Sequence, residues 1–194
     1  MKNQKTKTLV ECALMVALSV ILNYVKFAPW PNGGSVTAAS MAPIIFVALR
    51  HGPKWGLLSG FVLSILQMLL DGISPPPTES FFWFAMVVLL DYVLAYTVLG
   101  LAPVFAKLCK NGSCRFAPAV GALSVTLLRY CFHIVSGIAI WGVYAWEWFM
   151  PSMKGQPVWL YSVLYNGSYM IPEIIITTVA VTLLIKTLGK KLPA

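Results

Sequence analysis

Arg129, His133, Gly137 and Trp141 follow one another at intervals of four, the spacing that aligns side chains in one stripe along a helix. The stripe offers a permanent cation, an imidazole that donates or accepts, a position without a side chain, and an indole. A carboxylate, Asp91, interrupts the apolar run Met86-Val87-Val88-Leu89-Leu90, and Glu173 follows Tyr161, Ser162, Tyr165, Asn166 and Tyr169. Ser162, Asn166 and Tyr169 share a helical face at i, i+4 and i+7. Together these types suit a flat, cationic, heteroaromatic ligand. Its rings stack on Trp and Tyr, its cation lies over their faces, and Asp91 accepts charge-assisted hydrogen bonds. A blander reading pairs Arg129 with Asp91 or Glu173, lets His133 bond a neighbouring helix, and uses Gly137 for close helix packing.

The elements that must position these residues are membrane spans. Of 194 residues, 59% are hydrophobic and 10% charged, where a soluble domain carries about a quarter charged residues. The mean hydropathy is +0.80. This balance excludes a soluble enzyme, a secreted disulfide scaffold and a nucleic-acid binder, despite a net charge of +8. At about 20 apolar residues per crossing, an all-α integral membrane protein with six transmembrane helices is predicted. The spans are 8–27, 37–49, 55–72, 80–102, 117–143 and 159–186, within a single membrane domain covering 1–194. The second is short and crosses only with thin flanks or tilt.

Charge sets the orientation. Lys2, Lys5, Lys7, Arg50, Lys54, Lys107, Lys110, Arg115, Lys186, Lys190 and Lys191 fall on one side, and Lys26 and Lys154 on the other with Asp71, Glu79 and Glu147. Both termini are therefore predicted to be cytoplasmic. The first apolar run follows three lysines but contains Glu11 and no small-residue cleavage site, so it reads as a retained helix. Glu11 itself reads as structural, a tolerated acid near a helix N-terminus. Pro172 predicts a kink in the last span. The aromatic residues Trp30, Phe81, Phe82, Trp83, Trp141, Tyr144, Trp146, Trp148 and Trp159 crowd the outer ends, as interfacial anchors do. Cys12, Cys109, Cys114 and Cys131 show no C-x-x-C spacing and read as ordinary reduced thiols. The sequence contains no P-loop, H-E-x-x-H or G-x-S-x-G motif and no internal repeat. A pocket open to one side without a motor points to a capture subunit that needs partners.

The stretch from Arg129 to Trp146 (Arg129-Tyr-Cys-Phe-His133-Ile-Val-Ser-Gly137-Ile-Ala-Ile-Trp141-Gly-Val-Tyr144-Ala-Trp146), followed by Tyr161-Ser162 and Asn166-Gly167, resembles the thiamine-specific substrate-binding (S) subunits of energy-coupling-factor transporters, the ThiT-like family. The resemblance extends over nearly the whole chain. It implies the six-helix S-component fold in a prokaryotic plasma membrane, with thiamine bound from outside as cargo and no cofactor. His133 and Asp91 would meet the aminopyrimidine, Asn166 and Tyr161 would add polar contacts, and Trp141 and Trp30 would stack on the rings. Gly137, Ser162 and Tyr92 match further pocket positions. The family acid is Glu where this chain has Asp91, and a family tyrosine falls on Phe81 or Phe82, which lack its hydroxyl. Ala13 and Ala17, four apart, match a helix-docking signature. The implied partners are a transmembrane coupling subunit and two ATPase subunits. Two alternatives stand beside this: the same architecture for another vitamin or a thiamine precursor, and a small membrane enzyme using Asp91, His133 and Arg129.

Overall fold

The computed structural model describes residues 2–29, 33–109, 116–147 and 149–187. Trp30, Trp148, Lys110, Arg115, Lys190, Lys191 and Cys114 lie outside the described residues. Six helices pack together: α1 (Lys2–Tyr24), α2 (Ala42–His51), α3 (Pro53–Asp71), α4 (Phe81–Ala106), α5 (Ala117–Ala139) and α6 (Val158–Thr187). All except α2 are long and apolar enough to cross a membrane. Large apolar side chains face outward along them, among them Leu14, Leu69, Ile175 and Leu183, more than a water-soluble surface carries.

The expected second span, 37–49, is resolved differently. Ser35–Thr37 form strand β2, antiparallel to β1 (Lys26–Pro29), with Lys26 opposite Thr37 and Val36 opposite Ala28. Helix α2 has ten residues, a length of about 15 Å, half the hydrocarbon thickness of about 30 Å. Every residue from Ala42 to Leu49 is buried. The helix is apolar on all sides because it is enclosed by the other five, the condition under which an all-round apolar helix is stable in a protein interior. With Val16, Leu63, Leu99, Val125 and Val181 it forms the main apolar core.

Two breaks in regularity shape α4. Val88–Leu94 is a π-helical turn and Val98–Leu101 a 3-10 turn. Pro103 accounts for the second, since its ring crowds the carbonyl four residues earlier and it has no N–H to donate. Small residues let α3 and α4 cross closely, with Gly56 set directly against Gly100. Helix α6 stays helical through Pro172.

Glu11 is an interior residue of α1, not an N-terminal one. It binds Arg50 Nε at 2.9 Å and His51 Nε2 at 3.0 Å, tying α1 to the junction between α2 and α3. The structural role expected of it holds, but ion pairing rather than the helix dipole stabilises it.

Candidate ligand-binding site

A cavity of about 610 Å³ lies between α4, α5 and α6 at the end of the bundle remote from Arg50, Lys54, Lys107 and Lys186. Helix α5 supplies Arg129, His133 and Gly137 to one wall; it ends at Ala139, short of the expected 143, and Trp141 reaches the cavity from the 3-10 turn Trp141–Tyr144 that follows. Helix α4 supplies Val87, Asp91, Tyr92 and Tyr96; α6 supplies Tyr161, Tyr165, Asn166, Tyr169, Met170 and Glu173. The β-hairpin covers it with Lys26, Gly33, Gly34, Ser35 and Thr37, and Asn23, Gln67 and Asp71 are among the residues that line it from α1 and α3.

The π turn in α4 carries Asp91 and Tyr92, two successive residues that both reach the cavity. Such turns recur at functional sites because they shift side chains out of α-helical register. Asp91 Oδ2 accepts hydrogen bonds from Ser136 Oγ (2.7 Å) and Trp141 Nε1 (3.1 Å), and Oδ1 lies 3.3 Å from His133 Nδ1. Its side chain is 17% exposed and that of His133 12%. A carboxylate so held is a fixed acceptor on the cavity wall, placed to take hydrogen bonds and to complement a positive ligand. Tyr92 donates from its hydroxyl to the Gly72 carbonyl at 3.1 Å.

The α5–α6 wall is closed by amide and hydroxyl bonds. Asn166 Nδ2 donates to the Ser162 carbonyl (2.9 Å) and the His133 carbonyl (3.2 Å), while its Oδ1 accepts from the Tyr169 hydroxyl (2.6 Å). Ser162 Oγ donates to the Ile134 carbonyl at 2.9 Å. A Cβ on Gly137 would collide with Ser162 Oγ and press on Asn166 Nδ2, so glycine is what lets the two helices meet at this level. Along α6 the Tyr161 and Tyr165 rings stack at 5.5 Å with 18° between planes, and Tyr165 meets Tyr169 edge to face at 6.1 Å. Trp146 and Phe149 extend this aromatic cluster.

Asp91, Tyr92, His133, Gly137, Trp141, Tyr161 and Asn166 thus all line one cavity. Two other expected residues do not. Ser162 is wholly buried between helices, because the i, i+4 stripe it shares with Asn166 turns against α5. Phe81, the first residue of α4, is 87% exposed and stands on the outer surface, as a belt residue does. Arg129 also departs from the blander expectation. Among the described residues no carboxylate pairs with it; its guanidinium lies over the Tyr96 ring at 4.2 Å and its Nε donates to His133 Nε2 at 3.3 Å.

Sequence reasoning missed Ser136, Tyr96, Thr37 and the hairpin. Ser136 lies at i+7 from Arg129 on the same helical face, but a stripe counted in fours passes over it. Glu173, singled out as a buried acid, is engaged: its Oε2 accepts from the Thr37 backbone N–H at 2.7 Å and its Oε1 from the Thr37 hydroxyl at 2.6 Å. That contact joins residues far apart in the chain.

An aromatic cavity with a fixed carboxylate, closed by a hairpin at one end of a lipid-facing helical bundle, defines a membrane-embedded small-molecule binding protein. Residues 9–192 match the model of the thiamine transporter protein family (Thia_YuaJ), and the chain belongs to that family. It is similar to the thiamine transporter ThiT of Bacillus subtilis, 33% identical over 188 residues covering 92% of this chain and 90% of that one. Similarity to the ThiT of Lacticaseibacillus paracasei is 28% over 193 residues, covering 95% and 89%. The fold is that of ThiT from Listeria monocytogenes, with a TM-score of 0.73 at 19% identity over 95% of this chain and 96% of the other. The S component of a bacterial ECF transporter is also similar in fold, with a TM-score of 0.51 at 18% identity over 95% and 94%. The chain is therefore a multi-pass, all-α membrane protein with the S-component fold, the two-stranded hairpin being its exception.

Proposed function

We propose that this protein captures thiamine in the cavity between α4, α5 and α6 and delivers it to a separate energising module. The observation that carries the reading is the Asp91 carboxylate, anchored by Ser136 and Trp141 and facing a cavity walled by tyrosines. Thiamine is a positively charged thiazolium joined to an aminopyrimidine. Asp91 and His133 meet the aminopyrimidine, Trp141 and the tyrosines stack on the rings, and Asp91 offsets the cation. Membership of a transporter family sets aside the reading of Asp91, His133 and Arg129 as a catalytic cluster.

Titration of the detergent-purified protein with thiamine tests this through tryptophan fluorescence. Trp141 lines the cavity, so saturable quenching is expected at submicromolar thiamine, an affinity of about 8 kcal/mol or more, with riboflavin and biotin silent. Absence of any response in folded, ligand-free protein refutes the assignment and favours another vitamin or a thiamine precursor.

The energising partners are a transmembrane coupling subunit and two ATPases. Ala13 and Ala17 are exposed on the same flank of α1, between Leu14 and the outward-facing Val10 and Leu18, where small side chains admit a partner helix. Replacing both alanines with tryptophan is expected to abolish uptake in cells while thiamine binding by the purified subunit stays unchanged. Loss of both activities together would assign the pair to folding instead.

A further inference from the structure

The Arg129–His133 contact resolves a question that distances alone usually leave open. An arginine Nε carries a hydrogen and accepts nothing. Since it lies 3.3 Å from His133 Nε2 in donor geometry, that nitrogen must be the unprotonated one. The ring proton of neutral His133 is therefore on Nδ1, which faces Asp91 Oδ1 at 3.3 Å. The three groups form a chain in one direction: guanidinium to imidazole to carboxylate. A second proton on the imidazole would need the site that Arg129 occupies and would set two cations face to face.

We infer that Arg129 is a positioning residue that fixes the tautomer of His133 and keeps its ring neutral, so that the negative charge of Asp91 remains available to a cationic ligand. The inference rests on the thiamine-capture reading for its consequence, but the tautomer stands on geometry. The guanidinium is held for this task by the Tyr96 ring, 4.2 Å away, and among the described residues no carboxylate competes for it. The other titratable or charged groups lining the cavity are Tyr92 and Tyr96 on α4, Tyr161, Tyr165, Tyr169 and Glu173 on α6, Asp71 on α3, Lys26 on β1 and Tyr144 in the turn after α5. Tyr169 meets the imidazole edge to face at 6.4 Å, and its hydroxyl is directed to Asn166. Glu173 is directed to Thr37. Asp91 and Arg129 are thus the groups that bond the two ring nitrogens. Were the ring to become a cation, it would neutralise Asp91 and repel a positively charged ligand. Arg129 forms part of the cavity wall, and through His133 it also acts on selectivity for charge.

Imidazole nitrogen-15 spectra of the ligand-free protein test the tautomer, with His51→Gln used to assign the second histidine. The expected spectrum shows a protonated Nδ1 and a bare Nε2 on His133 between about pH 8 and 5.5, the range in which an ordinary imidazole titrates. A proton on Nε2 in the wild type overturns the inference. Arg129→Met removes the donor and the charge, whereas Arg129→Lys keeps both. In Arg129→Met, thiamine affinity is expected to fall with acidification by up to about tenfold per pH unit, the limit for uptake of one proton. A neutral thiophene isostere of thiamine should lose far less, and Arg129→Lys should keep the flat profile of the wild type. A flat profile in Arg129→Met, or equal loss for the cationic and neutral ligands at every pH, overturns the inference. If Arg129→Met does not fold, the wild-type spectrum still decides. If the wild type binds no thiamine at any pH, the capture reading fails, and the spectra test the tautomer independently.

Discussion

Asp91→Ala is expected to weaken thiamine binding by about two decades or more while the helical bundle stays folded. The substitution removes the cavity charge that opposes the thiazolium and strands three groups at once: the Ser136 hydroxyl, the Trp141 indole N–H and the His133 Nδ1. Those unpaired groups cost stability, at about 1–3 kcal/mol each, whereas the loss of affinity comes from the missing charge and acceptor at the ligand, at about 1.4 kcal/mol per factor of ten. Asp91→Asn should be nearly as severe, since one amide oxygen replaces two acceptors and the NH2 group then faces another donor. Fluorescence titration gives the affinity and a thermal melt followed by circular dichroism gives the folding control. Unchanged affinity in both Asp91→Asn and His133→Ala removes the binding role assigned to this wall.

Glu173→Ala is expected to speed thiamine release by about tenfold or more and to alter capture little. Glu173 holds the Thr37 backbone N–H and hydroxyl at 2.7 and 2.6 Å, and Ser40 closes the same turn, with its backbone N–H donating to Thr37 Oγ1 at 3.1 Å. Loss of the carboxylate leaves the Thr37 backbone N–H unpaired in a buried place, at about 1–3 kcal/mol, while the Thr37 hydroxyl keeps Ser40 Oγ at 2.8 Å. The hairpin then keeps the Tyr165 hydroxyl bond to the Gly33 carbonyl at 2.9 Å and the contact of Gly34 with the Tyr169 ring. A Cβ on Gly34, whose φ is +87°, would enter that ring. Weakening a cover over a filled site acts mainly on the dissociation rate. Stopped-flow displacement of bound thiamine measures it. An unaltered dissociation rate alongside a lowered melting temperature would confine Glu173 to stability.

The α5 stripe was legible because helix periodicity aligns Arg129, His133 and Gly137; Trp141, expected to continue it, reaches the same cavity from the 3-10 turn after α5. Asp91 was legible because an acid amid five apolar residues is costly in lipid. Its partner Ser136 shares the face of His133 and, at i+7, of Arg129, but intervals of four lead to Gly137 instead. The π turn was equally silent: Val88–Leu94 reads as an ordinary apolar helix, and its widening is what brings both Asp91 and Tyr92 to the cavity. Ser162 shows the opposite failure. Periodicity placed it on the face of Asn166, but the close approach at Gly137 turns that part of the face into a helix contact. Phe81 was assigned through the resemblance, as the match to a family tyrosine, and in the structure it stands exposed at the start of α4. The hairpin and the shortened α2 escaped because hydropathy records how apolar a segment is, not whether lipid or protein surrounds it. Thr37 and Glu173, joined in the fold, lie 136 positions apart in the chain, beyond the reach of any local pattern.

Helix α2 bears on how the molecule is made. Its apolar residues have no lipid contact to gain, as Ile44, Ile45, Val47, Ala48 and Leu49 are all fully enclosed, and its length is about half a bilayer. Alone in the membrane it would leave helix-terminal carbonyls and N–H groups in hydrocarbon, at a cost of several kcal/mol each. The segment therefore cannot be threaded in as an independent span and held there while the rest is synthesised. Its destination is created by helices that come later in the chain, α3 to α6, so it must wait at the membrane surface or in a protected channel until they arrive. The enclosure of the second helix is complete only with the last one, and a chain truncated before α6 would leave part of α2 uncovered.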